Sequence, residues 1–237
     1  MRRNDFLRLL AMAGAGLATP AFAQPGPNVL EGECEVNPHF INSGPGFGNR
    51  LALTFDDGPT PGVTERILAE LSKYNLHATF FLLGSKVDAS PQLARRLVDE
   101  GHDVGNHSYN HPRLAGMSDS AVERELIRTQ ESITNACGVT PVWFRPPYGA
   151  FHREQGPLAS KLGLGVAYWS VDPRDWSQPG SQTIAQRVLS ASQPGSIILL
   201  HDLHPQTADA VPMIFSGLID RAFTATPFHN FVGQPYV

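Results

Sequence analysis

Residues 51–59 read LALTFDDGP, a short apolar run halted by two adjacent carboxylates. LALTF (51–55) has the β-forming character of a buried strand. The strand stops at Asp56 and Asp57, and Gly58-Pro59 then ends regular structure. Side by side the two acids repel, and burial penalises both. A strand that ends in this pair needs a reason to keep it.

Outward from this stretch the pattern alternates. Val63, Ile67, Leu68 and Leu71 recur at helical spacing, with the helix expected to begin near Pro61; ATFFLL (78–83) reads as a strand; Leu93, Leu97 and Val98 mark a helix after Ser90-Pro91. Asp103-Val104-Gly105 is a short strand, and Ser120 with Glu123 predicts a capping box for a helix carrying Val122, Leu126 and Ile133. Trp143-Phe144, VAYWSV (166–171) and SIILL (196–200) are later strands, separated by helical stretches near 154–163 and 181–191 and followed by one near 207–221. Strands alternating with helices imply a parallel sheet, because each crossover needs a helix to cover it. About seven such units are many for an open sheet and few for an eight-fold barrel. The predicted fold class is therefore α/β, a distorted (β/α) barrel with about seven parallel strands. The tail after Phe223, TATPFHNFVGQPYV, has no clear final strand and helix, which leaves the closure of the barrel open.

Bulk properties exclude some functions. The 237 residues carry a net charge of −4 at pH 7, no electrostatic footprint for nucleic acid, and no lysine or arginine run suits an anionic membrane surface. Glycine (22) and proline (20) together exceed the usual share of roughly 12%, so tight turns carry much of the structure. The first residues, MRRNDFLRLLAMAGAGLATPAFA, combine a basic start, a modestly apolar middle and Ala21-Phe22-Ala23, the small-x-small pattern of a signal-peptidase site. Residues 1–23 are expected to be a signal peptide and the mature chain to be exported, to the periplasm or the medium. Arg2-Arg3 followed by Phe6-Leu7 also fits a twin-arginine signal. A membrane anchor is opposed by Arg8 and by an apolar part well short of the roughly 20 residues that span a bilayer. Residues 24–50, rich in glycine, proline and asparagine and without a period, read as an extended arm ahead of one folded domain at 51–237. Cys34 and Cys137 form either one disulfide from arm to body or two unpaired thiols, and both readings stand.

In a β/α architecture chemistry gathers at the carboxyl ends of the strands, so the polar residues there should form a coherent set. Strand one ends in Asp56-Asp57; the third leads into His107-Ser108-Tyr109-Asn110-His111; the fourth into Arg145-Pro146-Pro147-Tyr148-Gly149; the fifth into Asp172-Pro173-Arg174-Asp175-Trp176; the sixth into His201-Asp202. His107 and His111 lie four apart, so on a helical turn both imidazoles would point the same way and could bind one metal ion. One carboxylate would complete a set of two histidines and an acid, leaving positions for water and substrate. An H-x-x-x-H pair alone is more often two surface or core-satisfied histidines; the aspartate pair on another strand end reverses that weighting. It also gives the adjacent acids their reason. A cation on one offsets the repulsion and keeps both ionised, so the neighbour can serve as a base. Capping the helix near Pro61 would need one acid and not two.

TFDDGP (54–59), HSYNH (107–111), RPPYG (145–149), DPRDW (172–176) and LLHD (199–202) resemble, in order and context, the five motifs of the polysaccharide deacetylase family, carbohydrate esterase family four. The resemblance implies a distorted (β/α) barrel of about seven strands. It also implies a divalent metal ion, zinc first among the candidates, held by Asp57, His107 and His111. By the same likeness Asp56 is the general base and His201 the general acid, Arg145 orients the base, and Asp175 tunes His201. The backbone N–H of Tyr148 would hold the oxyanion, while Trp176 and Leu199 would line a pocket for the acetyl methyl.

The implied activity is removal of N-acetyl groups from N-acetylglucosamine units of an acetylated polysaccharide or oligosaccharide, chitin-like or peptidoglycan, with release of acetate. A bound cation lowers the pKa of water from 15.7 toward roughly 7, so Asp56 has only to take a proton that is already acidic. An amine leaves poorly unless protonated, hence His201, kept cationic by Asp175. One rival is an O-acetyl esterase on xylan or an amidase on non-sugar amides. Another is a non-catalytic carbohydrate-binding protein, which the presence of every reactive residue opposes. Trp176 as plain core is outweighed by the Asp-x-x-Asp before it. His102 and His204 read as structural or solvent-facing, and Asp172 and Asp202 as loop and turn anchors. Short loops at the strand ends favour an open groove suited to a polymer or oligomer.

Overall fold

The structure, a computed structural model, describes residues 40–233 and Pro235. In chain order the elements are β1 (Phe40–Ile41), β2 (Arg50–Asp56), α1 (Thr64–Lys73), β3 (Thr79–Leu82), α2 (Gly84–Ala89), α3 (Pro91–Asp99), β4 (Asp103–Asn106), α4 (Asp119–Cys137), β5 (Trp143–Phe144), α5 (Gly156–Lys161), β6 (Gly165–Ala167), α6 (Ser181–Ala191), β7 (Ile197–His201), α7 (Pro205–Asp220), β8 (Thr224–Ala225) and α8 (Phe228–Val232). Seven strands follow the order β1-β6-β5-β4-β3-β2-β7, and β8 pairs with the start of β2. Every pair is parallel. This is the distorted β/α barrel of about seven strands that the alternation predicts. The register sets Asp56 opposite Phe81 on one side and His201 on the other, so the polar strand ends share one rim.

Period-two alternation along β2 sorts its two faces. Leu51, Leu53 and Phe55, all fully buried, join Ile67, Leu68 and Leu71 of α1 and Val211, Ile214 and Phe215 of α7 in the core between sheet and helices. Ala52 belongs instead to a second cluster with Phe81, Trp143, Ala167 and Ile197, which fills the barrel itself. Thr54 and Asp56 continue that inward row toward the rim. Space inside is tight: a Cβ on Gly105 of β4 would lie 2.4 Å from the Phe81 ring, so only glycine lets β4 pass there.

The barrel is distorted because one predicted strand divides between two neighbours. VAYWSV does not run straight. Residues 165–167 pair with β5 and β1, and the Tyr168 N–H donates to the Ile41 carbonyl at 2.6 Å. The chain then crosses the seam, where the Ser170 and Val171 N–H groups donate to Ile197 at 3.0 and 3.1 Å and Leu199 donates to Val171 at 2.9 Å. From the other edge the Gly44 N–H donates to Gly195 at 2.8 Å. The described part of the stretch read as an extended arm thus supplies β1 and a seam contact, and a two-residue strand is too short to leave a period.

Two further sequence readings change. The capping box at Ser120 and Glu123 does not form, because α4 starts earlier, with Ser118 as its N-cap, and Ser120 falls inside the first turn. The tail does hold a last strand and helix, β8 and α8, of two and five residues. Phe228 and Phe231 of α8 plug the base of the barrel, with the Phe228 ring edge-on to Trp143 at 5.1 Å and to Phe81 at 5.9 Å. Among the described residues no helix is long and apolar enough to cross a membrane. Cys137 is buried at the end of α4; Cys34 and the leader-like residues 1–23 lie outside the described residues.

Phe228 is fully buried, so Phe228→Ala should destabilise the protein by about 3–5 kcal/mol in denaturant unfolding. A loss near 0.5 kcal/mol, about the size of a surface change, would show that α8 is not part of the core.

Candidate active site

β2 delivers Asp56 to the inner face at the rim, and an extended chain would send the next side chain to the opposite face. Asp57 avoids this by adopting the left-handed conformation, φ 73°, at a cost of about 1–2 kcal/mol. Both carboxylates then enter one cleft. The turn is anchored from below by Asp202, which is fully buried, accepts the Thr64 hydroxyl at 2.5 Å and donates its N–H to the Asp56 carbonyl at 3.2 Å. Burial pushes the Asp202 carboxyl up to about 7. A Cβ on Gly58 would lie 2.1 Å from Asp202 Oδ2, so the turn closes on this acid only through glycine. The reading of Asp202 as a turn anchor fits this geometry, and neither Asp56 nor Asp57 caps α1, whose N-cap is Val63.

His107 and His111 do not lie on a helical turn. They belong to the loop between β4 and α4, where Ser108 (φ 66°) and His111 (φ 59°) are left-handed. Those two steps bring the rings to 5.1 Å between centroids. The Asn106 side chain accepts the Ser108 N–H at 2.9 Å, and Ser108 Oγ accepts the His111 N–H at 3.2 Å. Such local bonds compete with helix formation.

The three groups meet at one point. Asp57 Oδ1 is 3.5 Å from His107 Nε2 and 3.3 Å from His111 Nε2, and one ligand atom from each of the three residues lies within 4.8 Å of the others. His107 Nδ1 is 2.7 Å from the Arg145 carbonyl. A carbonyl only accepts, so Nδ1 carries a proton and Nε2 is the nitrogen that faces Asp57. Burial pushes the His111 imidazole down, toward its neutral form. For Asp57 burial acts upward, but the imidazoles of His107, His111 and His201 outweigh it and hold the carboxyl well below the usual range. Asp57 Oδ1 is buried and accepts no well-formed hydrogen bond from the described residues. Two imidazole nitrogens and a carboxylate oxygen converging on one point fit a divalent cation of the zinc type.

Asp56 has a separate partner. Arg145 continues the inward row of β5 and is fully buried; its Nη1 donates to Asp56 Oδ1 at 2.8 Å and to Thr54 Oγ1 at 2.7 Å, and its Nη2 to the Tyr168 carbonyl at 2.9 Å. The guanidinium lies over the Phe81 ring at 4.2 Å. A buried ion pair is tolerable only when such further bonds complete it. Asp56 Oδ2 is left facing His107 Nε2 at 3.6 Å.

His201 ends β7 beside Asp56 and is held by Asp175. The fully buried Asp175 carboxylate engages His201 Nδ1 at 2.8 Å and accepts the His201 N–H at 2.8 Å, the Thr207 hydroxyl at 2.7 Å and the Trp176 N–H at 3.0 Å. Burial alone would push the His201 imidazolium down. Its bond to Asp175, with the charges of Asp175, Asp56 and Asp57, pushes it up to about 9 instead.

Asp56, Asp57, His107, His111, Tyr148, Trp176, Leu199 and His201 line one cleft of about 380 Å³, while Arg145 and Asp175 lie buried behind it. Trp176 is 46% exposed at the rim, which removes the plain-core reading, and Leu199 is buried. Tyr148 is left-handed, φ 59°. Its neighbours Gly149 and Ala150 donate to Pro146 and Pro147, whereas the Tyr148 N–H has no partner among the described residues. Its ring stands edge-on to His111 at 4.5 Å. His102 is a buried histidine pushed down to about 4, first by burial and then by His77, in line with a structural role.

Thr54, Thr207 and Trp169 escape the sequence reading. Thr54 was legible, since it stands two before Asp56 on the inward face. Trp169 lines the cleft from within VAYWSV, and only the seam crossing turns it there. Thr207 lies in the first turn of α7, and no local pattern points it at Asp175.

Fold and site together define a β/α barrel whose rim holds a two-histidine, one-acid centre beside a carboxylate–arginine pair and a histidine–carboxylate pair. The profile of the polysaccharide deacetylase family matches residues 44–167. A peptidoglycan-N-acetylglucosamine deacetylase of Listeria monocytogenes is 37% identical over 185 residues, covering 78% of this chain and 39% of the relative. A chitooligosaccharide deacetylase of Bradyrhizobium is 42% identical over 202 residues, covering 78% of this chain and 92% of the relative. The crystal structure of the Bc1960 peptidoglycan N-acetylglucosamine deacetylase superposes with a TM-score of 0.80 at 35% identity, over 83% of this chain and 94% of that one. The chain belongs to the polysaccharide deacetylase family. It spans about two-fifths of the length of the Listeria relative.

NMR titration of the metal-free protein should place the His201 midpoint near 9, and well below that in Asp175→Asn, where only the charges of Asp56 and Asp57 still oppose burial. Because folding raises this pKa, the linked stability is complete below about 6.5 and is lost as pH rises through about 9. A wild-type midpoint at or under 6.5 would remove His201 as a cationic donor at neutral pH.

Proposed function

We propose that this chain is a metal-dependent hydrolase that removes N-acetyl groups from N-acetylglucosamine units of a polysaccharide or oligosaccharide, chitin-like or peptidoglycan, and releases acetate. The observation that carries the reading is the meeting of Asp57, His107 and His111 in one cleft with the separately held Asp56 and His201. Relatives described as deacetylases of peptidoglycan and of chitooligosaccharides support the substrate class. The leader-like residues 1–23 support export, which we propose as well.

Asp57, His107 and His111 would hold the divalent ion, zinc being matched by two imidazoles and a carboxylate. When bound, the ion supplies Lewis acidity, polarising the acetyl carbonyl and acidifying water. Asp56, tied to Arg145 through one oxygen, uses the other to take a proton from water as its oxygen adds to the carbonyl carbon. The Tyr148 N–H donates to the developing oxyanion, a contact commonly worth roughly 3 kcal/mol. His201 gives its Nε2 proton to the amine nitrogen as the carbon–nitrogen bond breaks. Acetate and a free amine leave. Leu199 and Trp176 flank the acetyl methyl, and the exposed edges of Tyr148 and Trp176 leave the cleft open to a longer chain.

Acetate release should be seen with chitin oligomers or peptidoglycan, stop on chelation and return with zinc. Release from acetylxylan but not from either amide substrate would replace this reading with an esterase. Asp56→Asn should lower turnover roughly 100-fold or more with zinc retained, and loss of zinc instead would exchange the roles of the two aspartates. His111→Ala should lose both zinc and activity; full activity would defeat the ligand assignment.

A further inference from the structure

We propose that Glu125 on α4, outside all five motifs, is the positioning residue that holds the two-histidine loop in its ligand geometry. The inference rests on reading Asp57, His107 and His111 as the metal centre. Glu125 Oε2 accepts the backbone N–H groups of Tyr109 at 2.8 Å and Asn110 at 2.9 Å, and Oε1 accepts Asn110 Nδ2 at 3.3 Å. These residues lie between the two histidines.

The two rings are held differently. His107 is oriented through its Nδ1 by the Arg145 carbonyl. The His111 ring makes no such bond among the described residues, and only its backbone N–H is held, by Ser108 Oγ. Apart from its edge-on contact with the Tyr148 ring at 4.5 Å, its direction is set by the backbone from 108 to 111, which is left-handed at both Ser108 and His111. Strained steps of that kind persist only where surrounding bonds over-determine them. One half-buried side-chain oxygen accepting two consecutive peptide N–H groups ties both to a single point on α4.

Glu125 is itself on firm ground. Asn106, from which the loop departs, donates its Nδ2 to the Leu126 carbonyl at 2.9 Å and to Gln130 Oε1 at 3.2 Å, tying α4 to the end of β4. Tyr109 is staked by its side chain as well, its hydroxyl bonding Asp88 and Arg128 at 2.8 Å each. The carbonyl edges of the same two peptide planes are held by the start of α2, where the Gly84 and Ser85 N–H groups donate to the Ser108 and Tyr109 carbonyls at 3.1 Å each, and Glu125 holds their N–H edges.

The test measures zinc affinity by competition with a chromophoric chelator, alongside thermal unfolding of each metal-free protein. Glu125→Ala and Glu125→Asp, the latter too short to reach both N–H groups, should bind zinc roughly 10- to 100-fold more weakly. Glu125→Gln keeps an acceptor oxygen and should stay within about threefold of the wild type, well inside the usual loss for an outer partner. Glu125→Asp carries the test if Glu125→Ala does not fold. A folded variant of either kind with wild-type zinc affinity overturns the proposal, as does a Glu125→Gln protein as weak as Glu125→Ala. A wild type that binds zinc no better than His111→Ala overturns the metal centre itself, and this inference with it.

Discussion

Adjacent residues of a strand point to opposite faces, yet two adjacent carboxylates here share one cavity. The left-handed step at Asp57 resolves the conflict, and much of the rim is arranged around it. Asp56 keeps the inward direction of β2 and meets Arg145, while Asp57 swings to the two imidazoles. Gly58 must then pass against the buried Asp202 with no side chain of its own. Were β2 to continue extended, one of the two acids would point into the apolar core beside Phe55, where an unpaired charge is costly.

Within that cleft, like residues acquire unlike properties from their partners. His107 and His201 each engage an oxygen through Nδ1, but the first oxygen is a carbonyl and the second a carboxylate. The carboxylate favours the charged ring, and His201 is pushed up to about 9. His111 has neither partner, and burial pushes it down. The acids divide similarly: Asp56 has a guanidinium on one oxygen, while Asp57 faces imidazoles. The groups proposed as proton acceptor, proton donor and cation ligands can share one cleft of about 380 Å³ because each is compensated from a different direction.

What was legible in the sequence is what depends on short period or on abrupt polarity. The alternation of LALTF marks the inner and outer faces of β2, and the polar residues after each apolar run mark the rim. What depends on chain direction over a few residues was not legible. VAYWSV has uniform β character, and nothing in its composition tells that Tyr168 leaves one neighbour so that Ser170 and Val171 can reach another. The spacing of His107 and His111 suggested the right company through the wrong conformation, because helical and doubly left-handed paths both bring residues four apart together. β8 and α8, of two and five residues, span too little for a period to repeat. Thr207 and Glu125 act across tertiary contacts, and each looks in sequence like an ordinary residue of an amphipathic helix.

The backbone reveals a division of labour at the rim. Asp56, Arg145 and His201 come directly off strands, with ladder bonds beneath them, and these are the groups proposed to move or steer protons. Asp57, His111 and Tyr148 are all left-handed non-glycine residues, and with His107, which leaves β4 directly, they are the groups proposed to meet the cation and the oxyanion. Each such step costs about 1–2 kcal/mol, so the residues that face the cleft carry strain and cannot hold their shape alone. The compensating bonds come from Asn106, Ser108, Asp202 and Glu125, which bind backbone or turn from behind. A chain could therefore keep every reactive residue of the five motifs and still lose the site. Its competence resides as much in these supporting bonds as in the residues that face the cleft.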